Sequence, residues 1–279
     1  MAGMTHAHGS HRHGHDHDQA EILDLDAEVL AEHLASIVAW LPVPAAPRAI
    51  VDLGSGTGAG TLALLARFPD ARVTAVDASP AHLRRLAEKA GGGVRIVEAD
   101  LDHDWPDLGA PELVWASASL HHMADPDATL RRVHDLLPPG GLFALVELDG
   151  FPRFLPPDAP ADRPGLEDRA HAASERHHAE HVPHRGADWG PRLAAAGFTV
   201  EAERTVTVNI EKAASASVGR YALSSLRRLR TTVEDALSPD DLAALDRLLD
   251  PDDPDGLLRR DDLSVRTERR VWAARRNRP

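Results

Sequence analysis

Three kinds of residue in this 279-residue chain could do chemistry. The first is a loop almost bare of side chains, Asp52-Leu53-Gly54-Ser55-Gly56-Thr57-Gly58, set between the apolar run Ala49 to Leu53 and the helical pattern Thr61 to Phe68. Without Cβ atoms at Gly54, Gly56 and Gly58, a ligand can lie directly on the main chain, where the unpaired amides of a helix start offer hydrogen bonds. The second kind is a series of carboxylates that follow short apolar runs: Asp52 beside the loop, Asp77 after Arg72 to Val76, and Asp100 after Val94 to Ala99. The third is histidine, whose charge changes closest to neutral pH. It occurs as the pair His121-His122, as a group at His171, His177, His178, His181 and His184, and at alternating positions near the N-terminus.

Two chemistries compete for the loop. Gly54-x-Gly56-x-x-Ala59 satisfies a dinucleotide fingerprint, with Asp77 about twenty residues on, where a ribose-binding acid belongs. Asp52 favours a different ligand, because a carboxylate beside the loop suits a positive charge and repels a pyrophosphate. The run Val51-Asp52-Leu53-Gly54-Ser55-Gly56-Thr57-Gly58 closely resembles motif I of the class I S-adenosylmethionine (SAM) methyltransferases, small-molecule type. That resemblance implies SAM as cofactor, with Asp52, Gly54, Ser55 and Gly56 around its methionine portion and Asp77 and Ala78 at the ribose. It further implies that Asp100 accepts the adenine amino group while Leu101 packs on the ring. Ser117-Ala118-Ser119-Leu120-His121-His122-Met123 resembles motif IV of the same enzymes, which makes Ser117 a cofactor neighbour.

Methyl transfer from a sulfonium is an in-line displacement, and alignment alone can supply roughly 7 to 11 kcal/mol of the barrier. A hydroxyl or protonated amine acceptor must also lose a proton, for which a histidine is the natural base. His121 and His122 are the catalytic candidates. Adjacent side chains cannot both point the same way, so one is expected to face the pocket and the other to pack, with a structural role for both as the alternative.

These residues need elements to position them. Short apolar runs alternate with helical patterns through Leu142 to Leu148, which predicts a doubly wound parallel sheet with right-handed crossovers. Asp125-Pro126 starts the helix Asp127 to Leu137, and Ser79-Pro80 starts another. An amphipathic helix Ile22 to Leu41 precedes the first strand; the resemblance implies that it covers the cofactor, so that His33 and Trp40 either touch the site or pack. Residues 150–187, rich in proline, arginine and histidine, are expected to form a lid over the substrate pocket. Trp189 to Ala196 is read as a helix, Phe198 to Ile210 as a long sixth strand, Ala213 to Val233 and Pro239 to Leu249 as a helical insertion within 211–263, and Ser264 to Ala274 as a last strand. The family resemblance implies that this last strand is antiparallel in a Rossmann-like, seven-stranded, mostly parallel sheet. Residues 20–279 are thus expected to form one methyltransferase domain with a helical cap.

Composition narrows the partners. A formal charge of -13 repels a phosphate backbone, so no nucleic acid is expected. With 43% hydrophobic residues the chain can bury a large core, and no apolar run of membrane-spanning length or signal-like terminus appears, so the cytoplasm is the expected location and no membrane partner is expected. The absence of cysteine excludes disulfides and thiolate metal sites. Residues 1–19 are expected to be a disordered, histidine-rich tail, either without a role or binding metal adventitiously. His177-His178-Ala179-Glu180-His181 matches H-x-x-E-H without the scaffold that gives that pattern meaning, so no metal site is assigned. The expected activity is SAM-dependent methylation of a small organic acceptor, at oxygen ahead of nitrogen or carbon. The alternatives are an NAD(P)-dependent oxidoreductase, which would lack an evident Tyr-x-x-x-Lys pair, or a non-catalytic SAM- or metal-binding protein.

Overall fold

The structure, a computed structural model, describes residues 8–182 and 184–277, with backbone alone for residues 8–18 and 177–181. Its centre is one sheet built from β1 (Ala49–Leu53), β2 (Arg72–Asp77), β3 (Val94–Glu98), β4 (Leu113–Ser117), β5 (Leu142–Leu148), β6 (Phe198–Glu211) and β7 (Ser264–Arg276). The strand order is β3-β2-β1-β4-β5-β7-β6. The first five strands pair in parallel and β7 pairs antiparallel with β5. Side-chain bonds Thr199 to Asn277, Glu201 to Arg275 and Thr207 to Glu268 descend β7 as they ascend β6, so these two are antiparallel as well. The expected mostly parallel sheet with an antiparallel last strand is therefore present, each strand within two residues of its predicted bounds.

Sequence explains these placements. β1, β4 and β5 are near-continuous apolar runs buried along their length, as strands covered on both faces must be. β3 lies at an edge and is only partly buried. The helices start on polar caps: Ser79 accepts from His82 N ahead of α4 (Pro80–Ala90), and Asp125 accepts from Ala128 N ahead of α5 (Pro126–Leu136). Earlier in the chain, α3 (Ala59–Arg67) begins at Gly58, whose φ of +97° a side chain would resist. Leu53, Ala116, Leu130, Val133, Leu145, Trp189 and Trp272 join strands, α5 and α7 (Trp189–Ala195) in one apolar core.

The chain divides into two compact units. One comprises Leu30–Arg153, Arg176–Asn209 and Arg266–Pro279 and carries most of the sheet. The other comprises Met1–Val29, Phe154–Glu175 and Ile210–Val265 and is mainly helical. The single helix expected over Ile22 to Leu41 is broken at Leu30 into α1 (His8–Val29) and α2 (Ala31–Trp40), and the break coincides with the boundary between units. Residues 8–19, expected to be disordered, continue α1, because extending a helix already nucleated over the buried Ala20, Leu25 and Val29 costs far less than starting one. Residues 1–7 lie outside the described residues. No described helix is long and apolar enough to cross a membrane.

The helical unit is tied together by buried and partly buried polar bonds. Its helices α6 (Leu166–His181, of which residues to Glu175 belong here), α8 (Val218–Thr232) and α9 (Pro239–Leu249) accompany α1. Ser217 Oγ donates to Glu28 and Tyr221 Oη donates to Asp26 at 2.6 Å, fixing α8 to α1. Residues 150–187, expected to form a lid, contribute Leu166, Ala170 and Ala173 to the interior here. Glu167, 4% exposed, accepts the backbone N–H groups of Phe154 and Leu155 at 2.8–3.0 Å. Glu167→Ala is expected to leave two buried donors unpaired and to destabilise this unit by about 2 to 6 kcal/mol, at about 1 to 3 kcal/mol for each. Glu167→Gln, which keeps an acceptor, should cost less. Chemical denaturation with hydrogen exchange at the Phe154 and Leu155 amides measures both.

Candidate active site

The order of strands reverses about β1, which has β2 on one side and β4 on the other, and an open α/β sheet offers its crevice beyond the carboxyl ends of the strands at such a point. There the chain leaves β1 as the glycine loop. Gly54, Gly56 and Gly58 all have positive φ, at +67°, +52° and +97°. A Cβ on Gly54 would stand 2.4 Å from Ser119 Cβ, and one on Gly58 would stand 2.3 Å from Leu86 Cδ1, so the loop is pressed against β4's end and α4. Ser119 Oγ donates to Leu53 O at 3.0 Å, joining the ends of β4 and β1. Lys89 Nζ, from the last turn of α4, donates to Thr57 O at 3.0 Å.

Asp77 fastens the loop from the side. Its Oδ2 accepts Gly56 N–H and its Oδ1 accepts Ser79 N–H, both at 2.8 Å, with His82 Nδ1 at 3.4 Å from Oδ1. Burial acts to raise the pKa of this carboxyl, but the hydrogen bonds from His82, Ser79 and Gly56 outweigh burial and hold it below the ordinary value. A carboxylate has about four acceptor positions, so three partners leave one lone pair on Oδ2.

Asp52 is placed differently. It is 1% exposed, accepts from Thr61 Oγ1 at 2.6 Å, and pairs in register with Trp115 of β4. A Cβ on Gly60 would meet Trp115 Nε1 at 2.4 Å and Asp52 Oδ2 at 3.2 Å, so the start of α3 closes over this acid. Burial drives its pKa up to about 7, against the Thr61 hydrogen bond, which lowers it. Asp52 is thus beneath the loop, not on its open side.

The other predicted residues spread from this centre. Ser55 is buried, and its hydroxyl has no hydrogen-bond partner among the described residues. Ala78 is exposed and Ser117 half-buried at the ends of β2 and β4. Asp100 is exposed, and the Asp102 N–H, followed by His103 at 3.0 Å, holds its pKa below the usual value; Leu101 beside it is buried. Beyond β4, Ala118 takes a φ of +50°, the one non-glycine residue with positive φ among the described residues, and a 3₁₀ turn Leu120–His122 follows. That turn separates the two histidines: His121 is buried and His122 exposed, with ring centroids 4.2 Å apart. His121 Nδ1 meets Glu147 Oε2, and Leu120 N donates to Glu147 Oε1 at 2.9 Å. His33 and Trp40 lie in α2, and Arg204 stacks on the Trp40 ring. Of the histidine group in 150–187, the side chains of His177, His178 and His181 lie outside the described residues.

Sequence reasoning gave no individual role to Thr61, His82, Ser119 or Glu147. Only Glu147 carried a local signal, as an acid inside the apolar run Leu142 to Leu148. Gly54→Ala combines left-handed strain of about 1 to 2 kcal/mol with overpacking of about 1 to 3 kcal/mol against Ser119. A loss of about 2 to 5 kcal/mol in equilibrium unfolding is the expected outcome. Gly150→Ala, which meets nothing within 4 Å among the described residues, is the control and should stay within about 0.5 kcal/mol of the parent.

Residues 50–141, from β1 to just before β5, match a family described as a methyltransferase domain. Trans-aconitate 2-methyltransferase of Acidovorax sp. (strain JS42) is 42% identical over 106 residues, 38% of this chain and 40% of that one. Malonyl-[acyl-carrier protein] O-methyltransferase of Laribacter hongkongensis is 36% identical over 113 residues, 37% of this chain and 38% of that one. The matched stretch thus spans well under half the length of these relatives. In fold, a candidate methyltransferase from Bacillus halodurans C-125 superposes with a TM-score of 0.55 at 18% identity, over 88% of this chain and 99% of that one. Residues 50–141 are thus similar to a methyltransferase domain, and the glycine loop, reversed strand order and antiparallel last strand give the chain the fold of the class I S-adenosylmethionine-dependent methyltransferases.

Proposed function

We propose that this protein transfers a methyl group from SAM to a small organic acceptor, with oxygen as the accepting atom. The observation that carries the reading is the glycine loop clamped by Asp77 at the switch point of the sheet. The name of the first relative above supports a small acceptor, and that of the second supports oxygen. The residues fit the cofactor chemically: Ser55 offers a buried hydroxyl that lacks a partner among the described residues, Asp77 keeps an acceptor position for a ribose hydroxyl, and Asp52 sets a titratable acid under the loop. In this reading Gly54, Ser55 and Gly56 hold the methionine portion, with Ser117 nearby. Asp77 and Ala78 flank the ribose, while Asp100 and Leu101 meet the adenine.

SAM would supply a methyl group already activated on a cationic sulfur. The chain's own task is then to align the acceptor, exclude water and take up a proton where the acceptor has one. Asp52 acts across the loop through charge. Below about pH 7 it is mostly protonated and neutral; above, it is a buried anion that a nearby cation stabilises.

Calorimetric titration with SAM and with NADH tests the assignment: binding of SAM without NADH is expected, and tight NADH binding without SAM would overturn it. Asp77→Ala should weaken SAM by about 1 to 3 kcal/mol, the scale of a lost charged hydrogen bond. A second expectation concerns pH. Since a cation favours ionised Asp52, SAM should bind more tightly as pH rises from 6 to 8, with proton release, and Asp52→Asn should flatten that dependence. Stability runs the other way. A folded pKa of about 7 against an ordinary 3.8 means that the folded state holds the extra proton between those values, so this group's contribution falls as pH rises through that window. Asp52→Asn should therefore raise the melting temperature at pH 8 while weakening SAM, and thermal scans with and without SAM check both.

A further inference from the structure

Glu147 is 3% exposed and stands at the carboxyl end of β5, where each of its oxygens has a partner: Oε1 accepts from Leu120 N and Oε2 meets His121 Nδ1. His121 is also 3% exposed and sits in the turn that leaves β4, the strand paired with β5. A buried carboxylate is costly without donors, and here the donors come from one backbone amide and one imidazole. With the Nδ1 proton given to Glu147, the basic lone pair of His121 is on Nε2, and the second partner, Leu120 N, keeps Glu147 from turning away. His122, its ring 4.2 Å away, is exposed, so of the two neighbours it is His121 that burial and Glu147 orient together.

We infer that Glu147 is a positioning residue that makes His121, not His122, the general base, and that the acceptor is therefore a hydroxyl rather than a carboxylate. The inference rests on the methyltransferase reading. A carboxylate acceptor arrives without a proton at neutral pH and gives a base nothing to remove. A hydroxyl does have one. In that reaction the acceptor oxygen forms its bond to the methyl carbon as the carbon–sulfur bond breaks, and the sulfur keeps that electron pair and leaves as a neutral thioether. The hydroxyl proton passes to His121 Nε2, its bonding pair staying on oxygen. The imidazolium so formed faces Glu147 in a site from which water is largely excluded, where opposite charges attract most strongly.

The first test needs no substrate. In the ¹⁵N-labelled full-length protein at pH 8, with S-adenosylhomocysteine present, the ring nitrogens of His121 are assigned by their loss in His121→Gln. The expected spectrum has Nδ1 protonated and Nε2 bare, with Glu147→Gln releasing that preference into a mixture of tautomers. A proton on Nε2 in the parent overturns the proposal. The second test measures S-adenosylhomocysteine release with a panel of phenols and alcohols and with trans-aconitate. Turnover is expected on a hydroxyl probe, about 100-fold or more lower in His121→Gln and reduced in kcat more than in KM by Glu147→Gln. Turnover of trans-aconitate that neither substitution changes overturns the proposal. Binding of S-adenosylhomocysteine by the parent, measured alongside, tells failure of the dyad from failure of the methyltransferase reading.

Discussion

The bond from Gly56 N to Asp77 Oδ2 ties the loop after β1 to the end of β2, and the shape of the site depends on it. A chain of three glycines has many conformations to lose on folding, and a charged acceptor on a backbone amide is one of the stronger local ways to select one. Asp77 can do this because it is anchored itself, by Ser79 N at the start of α4 and by His82 one turn later. The same α4 returns Leu86 to fill the space under Gly58 and Lys89 to cap Thr57 O. One helix and one carboxylate thus hold the loop from two sides. The third side is Ser119, close enough to Gly54 to exclude any side chain there.

That packing continues into β4. Ala118 adopts a φ of +50°, which costs a non-glycine residue about 1 to 2 kcal/mol, and it is held by bonds on either side: its own N–H to Val146 O and Ser119 Oγ to Leu53 O. Without that reversal the turn after β4 would run straight on from the strand. With it, Ser119 turns toward the glycine loop and Leu120 and His121 turn toward Glu147. Strain at one residue therefore couples the candidate cofactor loop to the buried histidine–glutamate pair.

Much of this was legible in the sequence wherever the signal was local. Ala49 to Gly60 announces strand, loop and helix within twelve residues, and Ser79-Pro80 and Asp125-Pro126 cap their helices as their types require. The antiparallel β7 came from resemblance to a family, since nothing in Ser264 to Ala274 by itself states a direction. What stayed hidden were contacts between distant parts of the chain. Ser119 meets Leu53 across 66 positions, and His121 meets Glu147 across 26. The break at Leu30 was also illegible, because Leu25, Val29, Leu30, Ile37 and Val38 keep a helical period through it while packing into different units. Asp52 was recognised by position but not by depth: an acid after a strand reads the same whether it lies on the loop or beneath it.

Depth is what distinguishes the three strand-end acids. Asp100 is exposed and Asp77 is well supplied with donors, so both lie below the ordinary carboxylate range and are anions at neutral pH. Asp52, buried with the Thr61 hydroxyl as its donor, sits near 7. A row of three fixed anions would repel itself, and the Asp77 charge is itself among the causes that raise Asp52. A pKa near 7 lowers the average charge on the innermost acid and so eases that repulsion; in the proposed reading, a bound cation would draw out its negative charge. The chain reaches this state by burial against Trp115 and Gly60, which also explains why a glycine is needed at position 60: any side chain there would press on the acid and the indole.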